Sequence, residues 1–205
     1  MFFEEAGDHT DEVAEAIARR AMDGDVDVVV VASISGLSAI KVAERLAKIK
    51  VRVVCVSGPK SWRVYPEYHF PLIKRKERGR LKKLQVRIVS GVDEPFRPLV
   101  FRNWWAKKTL KLGAEEAGLF WMTLICVGGH GLRTAVESVF MAVEAGAAKE
   151  GEMVIAAAGT GTGLDSAVTL AAGKFEDIVG EDPNKRLKIR EILAMPQATQ
   201  WIGYG

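Results

Sequence analysis

This sequence offers neither a zinc-ligand pattern nor a disulfide framework. Only two cysteines and three histidines occur among its 205 residues. Cys55 and Cys126 each stand alone in an apolar run with no Cys-x-x-Cys pair, as expected of buried, reduced thiols in a cytoplasmic protein. His9, His69 and His130 have no metal-ligand spacing with one another or with the cysteines. A Gly-x-x-x-x-Gly-Lys-Ser/Thr loop is missing, and no serine sits in Gly-x-Ser-x-Gly. Zinc chemistry and nucleophilic catalysis therefore lack their motifs. The longest charge-free stretch, from Ala117 to Arg133, is too short and too broken by glycine to span a bilayer. The opening Met1-Phe2-Phe3-Glu4-Glu5 has neither the basic start nor the apolar core of a signal peptide. Asparagine and glutamine are confined to Asn103, Asn184, Gln85, Gln197 and Gln200, which beside many Lys, Arg and Glu leans towards a thermophile. A net charge of +3 argues against a polyanion binder built on global charge and leaves room for a local basic patch.

What is present is an alternation of apolar strands and amphipathic helices. The length fits one domain, residues 1–205, with one sizeable core. Thr10 with Asp11 and Glu12 reads as an N-cap and acidic first turn, and Val13, Ile17 and Ala21 give residues 10–22 an apolar helix face. Val26–Ala32 suits a strand buried on both faces. It stops at the turn and cap residues Ser33, Ser35, Gly36 and Ser38, and a helix over Ser38–Ile49 follows, then a second strand over Val51–Val56. Such an order predicts βαβ crossovers and a covered, mostly parallel sheet in a three-layer α/β/α domain.

From Pro59 to Pro71, three prolines with Trp62, Tyr65, Tyr68 and Phe70 read as a loop. Leu72–Leu84 packs seven Lys and Arg residues around few apolar positions; a solvated face is the commoner explanation, a nucleic-acid or membrane contact the sharper one. Gly79 weakens the helix there. Val86–Val89 suits a third strand. Between 91 and 113 only the Arg102-Asn103-Trp104-Trp105 cluster stands out, as core or subunit contact. Ala114–Val127 and a helix through Val136, Val139, Phe140 and Val143 flank a turn at Gly128-Gly129-His130-Gly131-Leu132. Strands over 151–158, Ala167–Leu170 and Leu187–Ala194 close the chain.

A strand that ends in a Gly/Ser turn and opens a helix points free amides outward along the helix dipole, the geometry of an anion site. The run Gly159-Thr160-Gly161-Thr162-Gly163 invites a dinucleotide reading and fails it, since Leu164 stands where a third small residue belongs and a strand follows instead of a helix.

Ser33-Ile34-Ser35-Gly36-Leu37-Ser38-Ala39, followed by Val42-Ala43 and the strand Val51–Val56, resembles the C-terminal domain of pyruvate kinase; Gly151-Glu152-Met153-Val154-Ile155 with Gly159 resembles that family's later strand and glycine loop. The chain is still more similar to stand-alone, largely archaeal proteins of that fold, through His130-Gly131-Leu132, Met141-Ala142, Gly146-Ala147, Asp165-Ser166-Ala167 and Met195-Pro196. The resemblance covers about half the chain and leaves out the Lys-rich segment, Trp104-Trp105 and the tail. It implies a mixed sheet and a Ser/Thr turn that holds phosphate, with flavin mononucleotide (FMN) bound in the stand-alone relatives. A phosphorylated small molecule is then expected at Ser33, Ser35, Gly36, Leu37 and Ser38, with Ser57, His130, Gly131, Gly159, Thr160, Gly161, Thr162 and Gly163 around it, and no metal. Rivals are an FMN-dependent oxidoreductase with His130 as acid or base, and a nucleic-acid-associated protein using Lys74–Lys83, a partner class the charge balance disfavours. Pyruvate kinase activity is not expected, because a catalytic barrel of about 250 residues has no room. The tryptophans are compatible with a homo-oligomer.

Overall fold

The computed structural model describes residues 1–58, 72–91, 114–174 and 182–198, with backbone alone for 114–119. The Pro59–Pro71 loop, the Trp104-Trp105 cluster and the tail beyond residue 198 lie outside the described residues. The described residues form seven strands and four helices, alternating as far as β5: β1 (Phe2–Glu5), α1 (Thr10–Ala21), β2 (Val28–Ala32), α2 (Leu37–Arg45), β3 (Arg52–Ser57), α3 (Arg75–Lys83), β4 (Arg87–Ser90), α4 (Ala114–Glu144), β5 (Met153–Ala158), β6 (Ser166–Ala171) and β7 (Lys188–Ala198). They form one sheet in the order β1-β7-β6-β5-β2-β3-β4. Only β6 runs against its neighbours, so the sheet is mixed and mostly parallel, as expected.

The valine run sets the layering. Successive side chains of a strand point to opposite faces. Val28 and Val30 enter one apolar cluster with α4, while Val29 and Val31 enter another with α1, α2 and α3. Both faces of β2 are therefore dry, which is why its residues do not alternate with polar ones.

Local chemistry moves several boundaries. α2 starts at Leu37 from a left-handed Gly36 (φ +81°), so glycine caps it where a serine hydroxyl was expected, and it ends at Arg45 instead of Ile49. At α1, Thr10 is the first helical residue, and the Asp8 carboxylate accepts from both its amide (3.1 Å) and its hydroxyl (2.5 Å). α3 runs through Gly79. β1 has no counterpart in the sequence reading: four mostly exposed residues at a sheet edge carry no period, and the strand exists because β7 offers it a parallel partner. β7 itself continues through Met195-Pro196; pairing with β6 reaches only Ala194, so the missing Pro196 amide breaks no bond on that side.

α4 is bent at Gly128 and Gly129, whose φ/ψ of −149°/19° and 73°/−173° are non-helical. The Trp121 and Phe140 rings lie 6.4 Å apart, and the Arg133 guanidinium sits 5.7 Å from the Trp121 ring. A straight helix would part residues 121 and 140 by about 28 Å. The element is thus a hairpin of two limbs, 114–127 and 130–144, and its second limb begins at His130. Among the described residues no helix is long and apolar enough to cross a membrane.

Candidate functional site

Three turns leave the carboxyl ends of neighbouring strands at one edge of the sheet. Val31 pairs with Cys55 on one side and Ala157 on the other, so the segments after β2, β3 and β5 emerge side by side. Between β2 and β5 the strand order reverses: α2 leaves on one face and α4 returns on the other. A switch point of this kind is where an open α/β sheet leaves a ligand crevice.

At the β2 turn, the Ser33 amide donates to Val56 O (2.9 Å) and the Gly36 amide to Ser33 O (3.2 Å), which folds the chain back before the helix. Ile40 N–H to Gly36 O (3.0 Å) is the first full helical bond. The amides of Leu37, Ser38 and Ala39 precede it and have no acceptor within the helix; the Leu37 amide donates a long bond of 3.4 Å to the Ser35 hydroxyl oxygen. Leu37 is exposed and Ser35 and Ser38 are half-buried, so the helix tip is reachable from solvent, while Ser33 is buried. Gly36 is doubly required: its φ is left-handed, and a Cβ there would meet Leu81 Cδ1 at 3.0 Å and Ile73 Cγ1 at 3.4 Å. α3 is thereby seated against the start of α2. Ser57 is committed elsewhere, its hydroxyl donating to Val89 O (3.2 Å).

The glycine run is a β5–β6 hairpin loop whose glycines serve mainly its own packing. Gly161 and Gly163 are left-handed (φ +89° and +69°). A Cβ on Gly163 would overlap the Asp8 carboxylate, one on Gly159 would overlap Gly163 O, and one on Gly131 would overlap Asp165 and Ser166. Only at Gly161 would it meet open space. Asp165, fully buried, binds the loop shut by accepting from the Thr160 amide (2.9 Å) and the Ser166 hydroxyl (2.8 Å). Leu164 ties the loop to α1, receiving His9 N–H on its carbonyl (2.9 Å) and donating to the Thr10 hydroxyl (3.0 Å). Thr162 is exposed, and the Thr160 hydroxyl is buried without a partner among the described residues.

His130 and Gly131 open the second limb, with Gly131 backed onto the head of β6. The His130 ring is buried, its Nε2 has no hydrogen-bond partner among the described residues, and desolvation, reinforced by the Arg133 charge, holds its pKa below the ordinary value. One turn on, Arg133 donates to Glu137 Oε1 (2.8 Å), a buried ion pair under Trp121. Desolvation raises the Glu137 carboxyl to about 7, against the opposing pull of Arg133. Burial pushes the Cys55 thiol up to about 12, so it is inert packing.

The turn residues 33–38, Ser57 and the loop 159–163 thus share one edge, with His130 and Gly131 bordering it from the opposite helix layer. Of the residues that hold that edge together, Asp8 carries no sequence signal, Thr10 is legible only as a helix cap, and Asp165 enters only through the family resemblance. Arg133 and Glu137 did carry a signal: ionisable residues three and seven positions after His130 interrupt an apolar helix.

No family model matches the chain. A solved structure, that of O-ureido-L-serine synthase, is similar at 18% identity and a TM-score of 0.32 over 50% of this chain and 30% of that one. The chain spans less than a third of that protein's length, and a likeness this slight carries no argument about activity.

Proposed function

We propose that the protein binds a phosphorylated small molecule at the carboxyl edge of its sheet, with FMN the leading candidate. The observation that carries the reading is the start of α2: three amides without acceptors in the helix lie at a strand-order reversal beside Ser33, Ser35 and Ser38, with Leu37 exposed, Ser38 half-buried and Ala39 buried. An anion placed there completes the amides' hydrogen bonds and gains from the helix dipole. The sequence resemblance to the pyruvate kinase C-terminal domain and its stand-alone relatives points to the same turn. The phosphate end of FMN fits these donors. For the rest of the molecule the support is narrower, since Gly161 alone in the loop leaves open space. His130, whose pKa burial lowers and whose Nε2 has no partner among the described residues, is the residue an FMN-dependent oxidoreductase reading would use to move a proton.

Ser35→Asp tests the site. A carboxylate beside the amide of Leu37 still satisfies the helix start but repels an incoming anion, so the variant should keep the wild-type melting temperature and lose at least about tenfold in affinity for FMN and for inorganic phosphate, roughly 1.4 kcal/mol. Titration calorimetry with both ligands measures it. Unchanged affinity, or a wild-type protein that takes up neither ligand, overturns the proposal.

A further inference from the structure

The helix α3 is built against its own stability. Residues 74–83 hold seven cations and one carboxylate, and because the whole chain is only +3, everything outside this segment is net acidic. Leu81 and Ile73 anchor the helix, and Arg80 pairs with Glu44 of α2 (2.5 Å). Lys74, Arg75, Lys76, Arg78, Lys82 and Lys83 are exposed, and among the described residues none has an acidic partner. The one carboxylate, Glu77, is half-buried with Oε2 out of solvent, so it does little to neutralise the outer face. Lys82 and Lys83 suit the helix C-terminus, but Lys74, Arg75 and Lys76 crowd the N-terminus, where the dipole disfavours positive charge.

Gly79 is the second anomaly. A mid-helix glycine lowers helix stability relative to alanine. Here neither backbone nor packing among the described residues asks for it: its φ is not left-handed, and a Cβ would meet none of their atoms within 4 Å. Its neighbours at i−4, i−3, i+3 and i+4 are Arg75, Lys76, Lys82 and Lys83. Residues at those offsets share a helix face, so bare backbone lies at the centre of four cations.

We propose that this outward face of α3 docks the phosphodiester backbone of a nucleic acid, with a phosphate seated over Gly79. The two cation pairs stand seven residues apart, about 10 Å along the axis, the span of about three phosphates of a stacked strand. Packing of α3 between α2 and β4 keeps it from entering a groove, so recognition is of charge and backbone and reads no sequence. An anionic membrane is the poorer fit because the apolar side chains of this helix face inward, and an interfacial helix needs an apolar face to bury. The inference is independent of the phosphorylated-ligand site.

The test is fluorescence anisotropy of the full chain with mixed-sequence single-stranded RNA over a salt series. Four ionic contacts predict a slope of log K on log salt of roughly −3. Gly79→Ala should raise the melting temperature yet weaken binding several-fold, a combination that a purely structural glycine does not produce. Lys82→Glu with Lys83→Glu should weaken binding at least about tenfold, and Ser35→Asp should leave it unchanged. No binding at low salt, salt-independent binding, or affinity indifferent to both α3 variants overturns the proposal. So does capture by phosphatidylserine vesicles without RNA binding.

Discussion

Glu137 is the residue where burial and charge are most at odds. Its carboxyl is almost wholly removed from water, one oxygen faces Arg133, and the other has no partner among the described residues. Desolvation raises its folded pKa to about 7 from the 4.5 of a free glutamate. The folded state therefore holds this proton more tightly than the unfolded chain. The stability that accompanies the neutral form is complete below about pH 4.5 and is lost as pH rises through about 7. Its size is on the order of 3 kcal/mol. Urea unfolding near pH 5 and near pH 8 should show wild-type stability falling across that window, and Glu137→Gln, which cannot ionise, should flatten the fall. A slope that survives the substitution would assign it to another group. His130 works the opposite way over part of the range, because its lowered pKa makes the folded state shed its proton first. The difference between the two proteins isolates Glu137.

At the scale of elements, glycines decide where the chain turns, and their costs can be ranked. Gly129 (φ 73°, ψ −173°) occupies backbone space essentially closed to other residues, and with Gly128 it reverses α4 so that Trp121 meets Arg133. Gly129→Ala should cost about 1–3 kcal/mol of unfolding free energy. Gly146→Ala, left-handed at φ +63° but with open space for a Cβ, should cost about 1 kcal/mol. Equal costs, measured by denaturant unfolding, would dispute the hairpin. The sequence announces a turn at 128–132 through glycine, yet whether it kinks or reverses a helix depends on contacts 19 residues apart, Trp121 to Phe140, which no local pattern encodes. The same distinction runs through the rest of the fold. β2, β3, β5 and β6 were legible because both faces are buried and their composition is unambiguous; β1 was not, because its partner lies almost two hundred residues away. The turn at 33–38 was visible as small residues between a strand and a helix. The glycine loop was visible too, but its glycines turn out to accommodate Asp8 and Gly163 O, contacts that the spacing Gly-x-Gly-x-Gly cannot distinguish from an approaching ligand.

Over the whole molecule the sheet is a partition. α1, α2 and α3 share a core on one side with Val29, Val31 and Ile155, and α4 has its own on the other with Val28, Val30 and Val154. The helix layer on the first side is laced by Lys41–Asp11, Arg45–Glu15 and Arg80–Glu44, which link α1 to α2 and α2 to α3. These are exposed pairs, each worth little, so burial must hold the layer down. A partition of this kind makes energetic independence measurable. Ile17 lies fully buried in one core and Val139 fully buried in the other, with the sheet between them and no shared partners. Ile17→Val should cost about 1 kcal/mol and Val139→Ala about 2 kcal/mol through lost burial and the cavity left behind. In a double-mutant cycle followed by urea unfolding, the two should sum to within about 0.5 kcal/mol. Coupling well beyond that would mean that the strands yield to cavities on either face, and that the carboxyl-edge turns cannot hold fixed positions while the helices behind them shift. Additivity would instead mark the sheet as the rigid frame on which the α2 amides and the glycine loop are held in register.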